Sequence, residues 1–512
     1  MSRISTHWSD AARRMRQLGN VMLVAVIMVI ASAHIGSPDT WFRGMAGPYE
    51  LQAVIRLPGV VPGLAQIDIT VRGEGVQQVT AQPVIFDAGL EGAPPADVAV
   101  PIAGRPGSYH AELWFMQPGS FSVTIGVRGA RGAGSVIVPV AAVPLRQIPL
   151  YPWLGWLLAA LGTLLFIGAV TIFRAAGSDG VTAPGGEPTA SSRRAGWTFA
   201  VVGACILVFG LYGARGWWQS VERDYQAELY RPYAASAAID TGSEGRALRF
   251  TITDSVWQTR RARSAWERFS VSPLVPDHGK LMHLFLISRD APTSFAHLHP
   301  VASDSSNFTA ALGALPAGRY RAFADVVHET GFAQTMVAEV DVPAKLGTPM
   351  STDPDDALFS GDASGALYAL PDGATITWEG KGDALRANED AGMRFTVREP
   401  DGTVARLAPY LGMPAHAVVY RTDGSVFIHL HPNGTISMVA QDALGAHQRS
   451  DTVPGMLATR LAAGAAMQHG AASFDGALTF PYAFPTSGSY RVWVQLRRPG
   501  GVVTAPFDAQ VK

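Results

Sequence analysis

The chain has 512 residues, a formal net charge of −1 and one cysteine; at ~150 residues per unit, that length implies three or more domains. With only four lysines and no polybasic run, it lacks the clustered positive charge that a nucleic-acid partner would need. Cys205 lies inside a hydrophobic run, which excludes an intramolecular disulfide, a Cys-x-x-Cys redox motif and a thiolate-rich zinc site.

In chain order, residues 1–17 read as a cytoplasmic segment and 18–36 as a transmembrane helix. Ala31-Ser32-Ala33 also fits a signal-peptidase site, so this first run is alternatively a signal peptide. Two more apolar runs, 150–173 and 197–213, are close to the ~17 to 25 residues that cross a hydrocarbon core. Arg3, Arg13, Arg14 and Arg16 precede the first run, and Arg174, Arg193 and Arg194 fall in the loop 174–196, so positive charge places both segments in the cytoplasm. Residues 37–148 and everything beyond the third run are then extracytoplasmic, with 214–235 a helical linker. Trp153, Trp156, Trp197, Trp217 and Trp218 sit near the ends of the runs, where aromatic belts are expected.

Outside the membrane, short alternating or apolar stretches are separated by Gly, Pro and Asp turns, with almost no long 3.6-residue period. The fold class expected is mainly β: three extracytoplasmic immunoglobulin-like β-sandwich domains plus three transmembrane helices. The first unit, 37–148, carries "GSYHAELWFMQPGSFSVTIGVRGARGAGSVIVPV" from Gly107. This resembles the YtkA-like or FixH-like periplasmic immunoglobulin-like modules, which share the Gly-x-Tyr strand, the Met/Gln-Pro-Gly turn and the Val-rich last strand. The resemblance implies a bacterial cytoplasmic-membrane protein with its bulk in the periplasm, a role in copper handling, and a membrane complex such as a respiratory oxidase as partner beside the lipid bilayer. His110 is the only histidine of that unit, so no metal role is expected for it.

The remaining chain is duplicated. "RFTI" at Arg249 matches "RFTV" at Arg394, and "LPAGRYRAFADV" from Leu315 matches "FPTSGSYRVWVQL" from Phe484. Between these landmarks stand "HLFLISRDAPTSFAHLHP" from His283 and "HAVVYRTDGSVFIHLHP" from His416. The copies span 236–346 and 365–512, the second enlarged by an insertion at about 434–476. These tandem domains also resemble uncharacterised bacterial periplasmic domains of copper-handling type.

Asp423-Gly424 predicts a two-residue type I′ hairpin turn. Setting Thr422 opposite Ser425 puts Val418 against His429 and His416 against His431. In the first copy a three-residue loop, Asp290 to Pro292, puts Phe285 against His297 and His283 against His299. Opposed residues share a face, as do residues two apart, so His283, His297 and His299 form one triplet and His416, His429 and His431 another. Opposed Cβ atoms ~5 Å apart allow ring nitrogens to reach one ion at ~2.0 to 2.1 Å. Three neutral imidazoles suit Cu, Zn or Ni with a position left open; copper is favoured and zinc remains an alternative.

The competing structural explanation is that these histidines are hydrogen-bonded residues closing a core, because Phe285, Ile287 and Phe295, or Val418, Tyr420 and Phe427, share their face. Met282 and Met413 read as packing. His278, His328, His447, His469, Met456 and Met467 are candidate outer or mobile ligands, with the solvated-loop reading preferred for His278, His447 and His469. Asp277 and Asp325 are candidates to orient an imidazole or serve as a base, but neither has a spacing that demands it. The expected function is membrane-anchored metal capture, buffering or delivery. The alternatives are a non-metal accessory subunit of a membrane complex, and a metallohydrolase with a metal-bound water. No Gly-x-Ser-x-Gly elbow, phosphate loop or dinucleotide fingerprint is present.

Overall fold

A computed structural model describes residues 34–35, 39–183, 185–242, 245–344, 353–363, 365–381, 384–449, 457, 459–461 and 473–512. The protein is mainly β, with strands distributed over seven sheets. The first predicted membrane run lies outside the described residues apart from His34–Ile35, a short strand parallel to Val426–Phe427.

Two long helices form a unit of their own, residues 144–230. α1 (Pro152–Ser178) and α2 (Ala190–Glu228) are both long and apolar enough to cross a membrane, with mean hydropathies of 2.2 and 1.9. At 1.5 Å per residue the 27 residues of α1 exceed a ~30 Å hydrocarbon core. Glycines allow close approach: a Cβ on Gly177 would lie 3.0 Å from the Gly196 Cα, and one on Gly203 would strike the Phe173 ring. Arg174 lies 4.5 Å over the Trp197 ring. Outward leucines such as Leu157, Leu164 and Leu165 are exposed, an apolar surface that lipid would cover. α2 continues to Glu228, so the predicted linker 214–235 is helical only to that point, and a strand already begins at Ala235.

Residues 39–142 form a five-stranded and a four-stranded sheet. The strand Gly63–Arg72 shows the underlying pattern, in which buried and solvent-facing residues alternate because successive side chains point to opposite faces. Each histidine repeat likewise pairs a smaller sheet with a larger one. In repeat one the larger sheet contains β1 (His283–Ser288), β2 (Ser294–Leu298) and β3 (Gly318–His328); in repeat two it contains β4 (His416–Arg421), β5 (Val426–Leu430) and β6 (Gly488–Arg498). The duplication is structural as well as textual, since His283 faces Asp325 across β1–β3 and His416 faces Gln495 across β4–β6.

The predicted hairpin registers are realised. Phe285 faces His297 and Val418 faces His429. The second turn differs from expectation: only Gly424 is left-handed (φ 79), so it is not the two-residue type. Instead Gly424 N–H closes onto the Arg421 carbonyl at 2.7 Å, and the Asp423 carboxylate accepts from Ser425 N–H at 2.9 Å. The four-residue loop keeps the same pairing, so the error in turn type leaves the histidine geometry intact.

Each hairpin is buried on both faces. Leu284, Leu286, Ala296 and Leu298 enter the core of repeat one, and Ala417, Val419, Ile428 and Leu430 that of repeat two. The opposite faces meet each other: Phe285, Ile287, Phe295 and Phe323 pack against Val418, Tyr420, Phe427 and Trp493. Phe323 and Phe427 stack at 4.1 Å and Phe295 and Trp493 at 4.6 Å, each worth ~0.5 to 1.5 kcal/mol beyond area burial. The face that carries the histidines therefore closes an interface between the repeats rather than the core of either one. Within the insertion, α3 (Met438–Gln448) is capped by the Ser437 hydroxyl and joins residues 39–142, with Gln441 Nε2 donating to the Ile137 carbonyl and Gln448 Nε2 to the Ser122 hydroxyl.

Candidate metal centre

Because the two hairpins pack face to face, their histidines form one cluster. His283 and His429 lie 5.4 Å apart between ring centroids, and His297 and His429 lie 5.6 Å apart. His278, read from sequence as a solvated loop residue, belongs to the cluster as well, 5.2 Å from His416 and 5.1 Å from His431. Two groups offer three nitrogens within 4.8 Å of one another: His283, His297 and His299, and His278, His416 and His431.

The first group matches the predicted triplet. Its outer hydrogen bonds fix the tautomers. His283 Nε2 lies 3.3 Å from the Asp277 carbonyl, His297 Nδ1 lies 2.9 Å from Gln495 Oε1, and His299 Nδ1 lies 3.0 Å from the Asp356 carboxylate. These acceptors offer no proton, so each of those nitrogens is the N–H donor. His283 Nδ1, His297 Nε2 and His299 Nε2 are left with lone pairs. The first two lie 3.1 Å apart, close to the ~3.3 Å between two ligands of a tetrahedral ion at ~2.05 Å. His299 Nε2 is buried with no partner among the described residues.

A shared proton would be the other way to reconcile the facing lone pairs. Burial, followed by the charge of neighbouring histidines, holds His283 and His297 well below the usual imidazole range, so both are neutral. Neutral rings with fixed outer N–H bonds are the state that metal ligands adopt. His299 with Asp353 and Asp356 also brings three donor atoms together. Asp356 is bonded to His299 and Asp353 to Lys280 at 2.6 Å, which makes these carboxylates outer partners of the triplet.

The second group differs from the predicted one. His429 Nδ1 faces the Asp325 carboxylate at 3.5 Å, so its Nε2 accepts from His416 Nδ1–H at 3.0 Å. His429 thus stands behind His416 as an orienting residue, and His278 takes the third place. His431 Nδ1–H donates to the Ile436 carbonyl at 2.9 Å. Nε2 of His278, His416 and His431 are all buried without a partner among the described residues. Burial, then the proximity of His278, pushes His431 down to about 4, and burial with the neighbouring histidines holds His416 well down.

Orphaned buried nitrogens are unfavourable, each unsatisfied group costing ~1 to 3 kcal/mol. Four converge in this cluster. The explanation that the histidines merely seal a core accounts for the apolar face but not for these atoms. It does hold for His328, whose Nδ1 and Nε2 meet the Ser272 carbonyl at 3.0 Å and Gln334 at 2.8 Å. Met282 is part of the core of repeat one, and His447 stacks on Phe86 at 4.0 Å. Met456, Met467 and His469 lie outside the described residues.

Sequence reasoning missed Gln495 and Asp356, set His278 aside as a loop residue, and offered Asp325 as an orienting residue without a spacing that demanded it. One signal pointed to His278. "PDHGKLMH" before β1 aligns with "PYLGMPAH" before β4, so His278 occupies a duplicated turn and is out of place as a loose loop residue. Asp325 and Gln495 are equivalent in register, and each orients the middle histidine of the other repeat.

Residues 369–512, which comprise most of repeat two, match the model of a domain of unknown function, DUF8832. No functionally curated protein matches the chain. Among solved structures, a 1.5-MDa bacterial ice-binding adhesin is similar at 6% identity and a TM-score of 0.14, covering 88% of this chain and 91% of that one. Salmonella alpha-2-macroglobulin is similar at 9% identity and a TM-score of 0.19, over 93% of this chain and 24% of that one. Latent PorU from Porphyromonas gingivalis stands at 9% and 0.15, over 93% and 34%. Likeness at this level carries no functional argument.

Proposed function

We propose that this is a membrane-anchored extracytoplasmic protein that binds a transition metal, with copper favoured, for capture, buffering or delivery. The observation that carries this reading is the convergence of buried imidazole nitrogens on rings that, His278 apart, have their other N–H committed elsewhere. His283, His297 and His299 form one site, and His278, His416 and His431 the other. All-imidazole donor sets suit Cu, Zn and Ni, and copper heads the divalent affinity order at a given nitrogen site.

The anchoring rests on α1 and α2 together with a hydrophobic first run, and the periplasmic placement rests on the arginine distribution. The reading of the three β-rich units as immunoglobulin-like sandwiches follows their paired sheets. The resemblance of residues 37–148 to YtkA-like modules fits a copper role and a membrane complex such as an oxidase as partner.

The test is metal content. Full-length protein purified in detergent and dialysed against Cu²⁺ or Zn²⁺ is expected to retain about two equivalents per chain, one for each three-ligand site. Replacing His283, His299, His416 and His431 together by Ala should abolish retention. Retention near zero in the folded wild-type chain, or unchanged in that variant, would reject the assignment.

A further inference from the structure

The two sites differ in how solvent reaches them. Of the seven clustered histidines, six are at most 8% exposed and the His278 side chain is 9% exposed, so it is not exposure but position that sets His278 apart. A cavity of about 260 Å³ lies beside it, formed by the turns that hold His278 and Leu411, with Lys280, Asp355 and Arg497 around it. No other member of either three-histidine site lines this cavity.

The surrounding charges are paired. Arg497 contacts Asp355, and Lys280 lies 3.1 Å from Asp355 and 2.6 Å from Asp353. Two cations against two carboxylates leave no net charge to repel a metal ion or to trap an anion. Their side chains are 19 to 27% exposed, so solvent reaches this wall of the cavity. The other site lies away from this cavity: His283, His297 and His299 are at most 4% exposed, and their outer nitrogens are tied to Asp277, Gln495 and Asp356.

Building on the metal-binding reading, we propose that His278, His416 and His431 form an exchange site, which takes up and releases a transition-metal cation through this cavity. The His283, His297 and His299 site retains its ion. The chain would then hold one labile and one kept equivalent, an arrangement suited to passing metal on rather than only storing it. Release is a ligand substitution: the ion passes from the three imidazole lone pairs to the donors that take it up, and no electron moves.

The experiment loads the full-length chain in detergent with Cu²⁺ and challenges it with excess EDTA, following metal content after rapid desalting. Two phases of one equivalent each are expected, with rates at least about tenfold apart. His278→Ala should remove the fast equivalent and keep the slow one. Leu411→Trp, at a backbone position that already holds a branched side chain with φ 52, should narrow the cavity and slow the fast phase with both equivalents retained. Arg497→Ala should speed it. Single-phase release of two equivalents, loss of the slow phase in His278→Ala, or an unchanged fast rate in both Leu411→Trp and Arg497→Ala would overturn the exchange assignment while leaving the metal sites standing. A wild-type chain that binds nothing would overturn both.

Discussion

In repeat one, the turn before the first hairpin reads Asp277-His278-Gly279-Lys280; in repeat two it reads Tyr410-Leu411-Gly412-Met413. Both close by reciprocal backbone bonds, at 2.9 Å each way between Asp277 and Lys280 and at 2.8 and 3.0 Å between Tyr410 and Met413. Both place their central residues in the left-handed region, with φ of 51 and 80 in the first and 52 and 77 in the second. The backbone is duplicated and the chemistry is not. His278 adds a nitrogen beside the hairpin of repeat two, whereas Tyr410 brings a hydroxyl 3.2 Å from His297 Nδ1 in repeat one. Equal scaffolds with unequal side chains turn one ancestral hairpin into two different sites, and each repeat depends on the other to complete its own.

Acid should break that arrangement most severely. Burial holds His283, His297, His416 and His429 well below the usual imidazole range, and it pushes His431 and, outside the cluster, His328 down to about 4. The unfolded chain binds protons on these groups below its ordinary imidazole value of ~6.5, and the folded chain does not. Stability is therefore fully present above pH ~6.5 and lost as pH falls toward about 4, by ~1.4 kcal/mol per pH unit for each imidazole kept neutral. For His328 and His431, the two with a stated value, that window is pH ~6.5 down to about 4. Chemical denaturation of the full chain across this range should show steepening losses, and bound metal should move the loss to lower pH. A flat profile between pH 7 and 4.5 would count against neutral, buried rings.

The next largest effect is expected at the aromatic layer that joins the hairpins. Phe427 is fully buried and lies 4.1 Å from Phe323 and 5.3 Å from Phe285 between ring centroids. Phe427→Ala should cost ~3 to 5 kcal/mol, the usual range for a buried Phe. Phe323→Ala should cost a similar amount, and the double variant less than the sum, because the two rings stack on each other. Additive losses in thermal unfolding would mean that the repeats do not lean on one another. Loss of metal retention in these variants without loss of secondary structure would sharpen the comparison, because neither ring touches the core of its own repeat.

How much of the site is legible in the sequence follows from the same geometry. The hairpin registers were legible because a period of two leaves only one way to put His283, His297 and His299 on one face, and an error in turn type did not disturb it. The unread part was the partner of that face. Runs such as His-Leu-Phe-Leu-Ile and His-Ala-Val-Val-Tyr are apolar on both sides, the mark of a strand buried twice, yet no linear pattern says which surface covers the second side. His278 and Gln495 reach the centre only across that contact, so their roles appear in three dimensions and not in spacing.

The finest distinction between the repeats is the pair of residues at matching register positions, Asp325 and Gln495. Asp325 stands behind His429 and through it His416; Gln495 stands behind His297. Outer partners of this kind fix the tautomer and the basicity of a ligand, and their removal typically lowers metal affinity ~10- to 100-fold. Asp325→Asn keeps an oxygen acceptor near His429 Nδ1 and should weaken only the His278, His416 and His431 site, toward the low end of that range. Burial, the leading influence on Asp325, pushes its carboxyl up to about 7, so the wild-type advantage should shrink as pH falls below that value, where the side chain is protonated and itself resembles the amide. Gln495→Ala should weaken the other site and show no such pH dependence. Copper titrations of the two variants at pH 6 and pH 8 separate these outcomes: a pH-sensitive deficit confined to Asp325→Asn supports orientation across the repeats, and equal deficits in both variants at both pH values would show that the two positions only fill space.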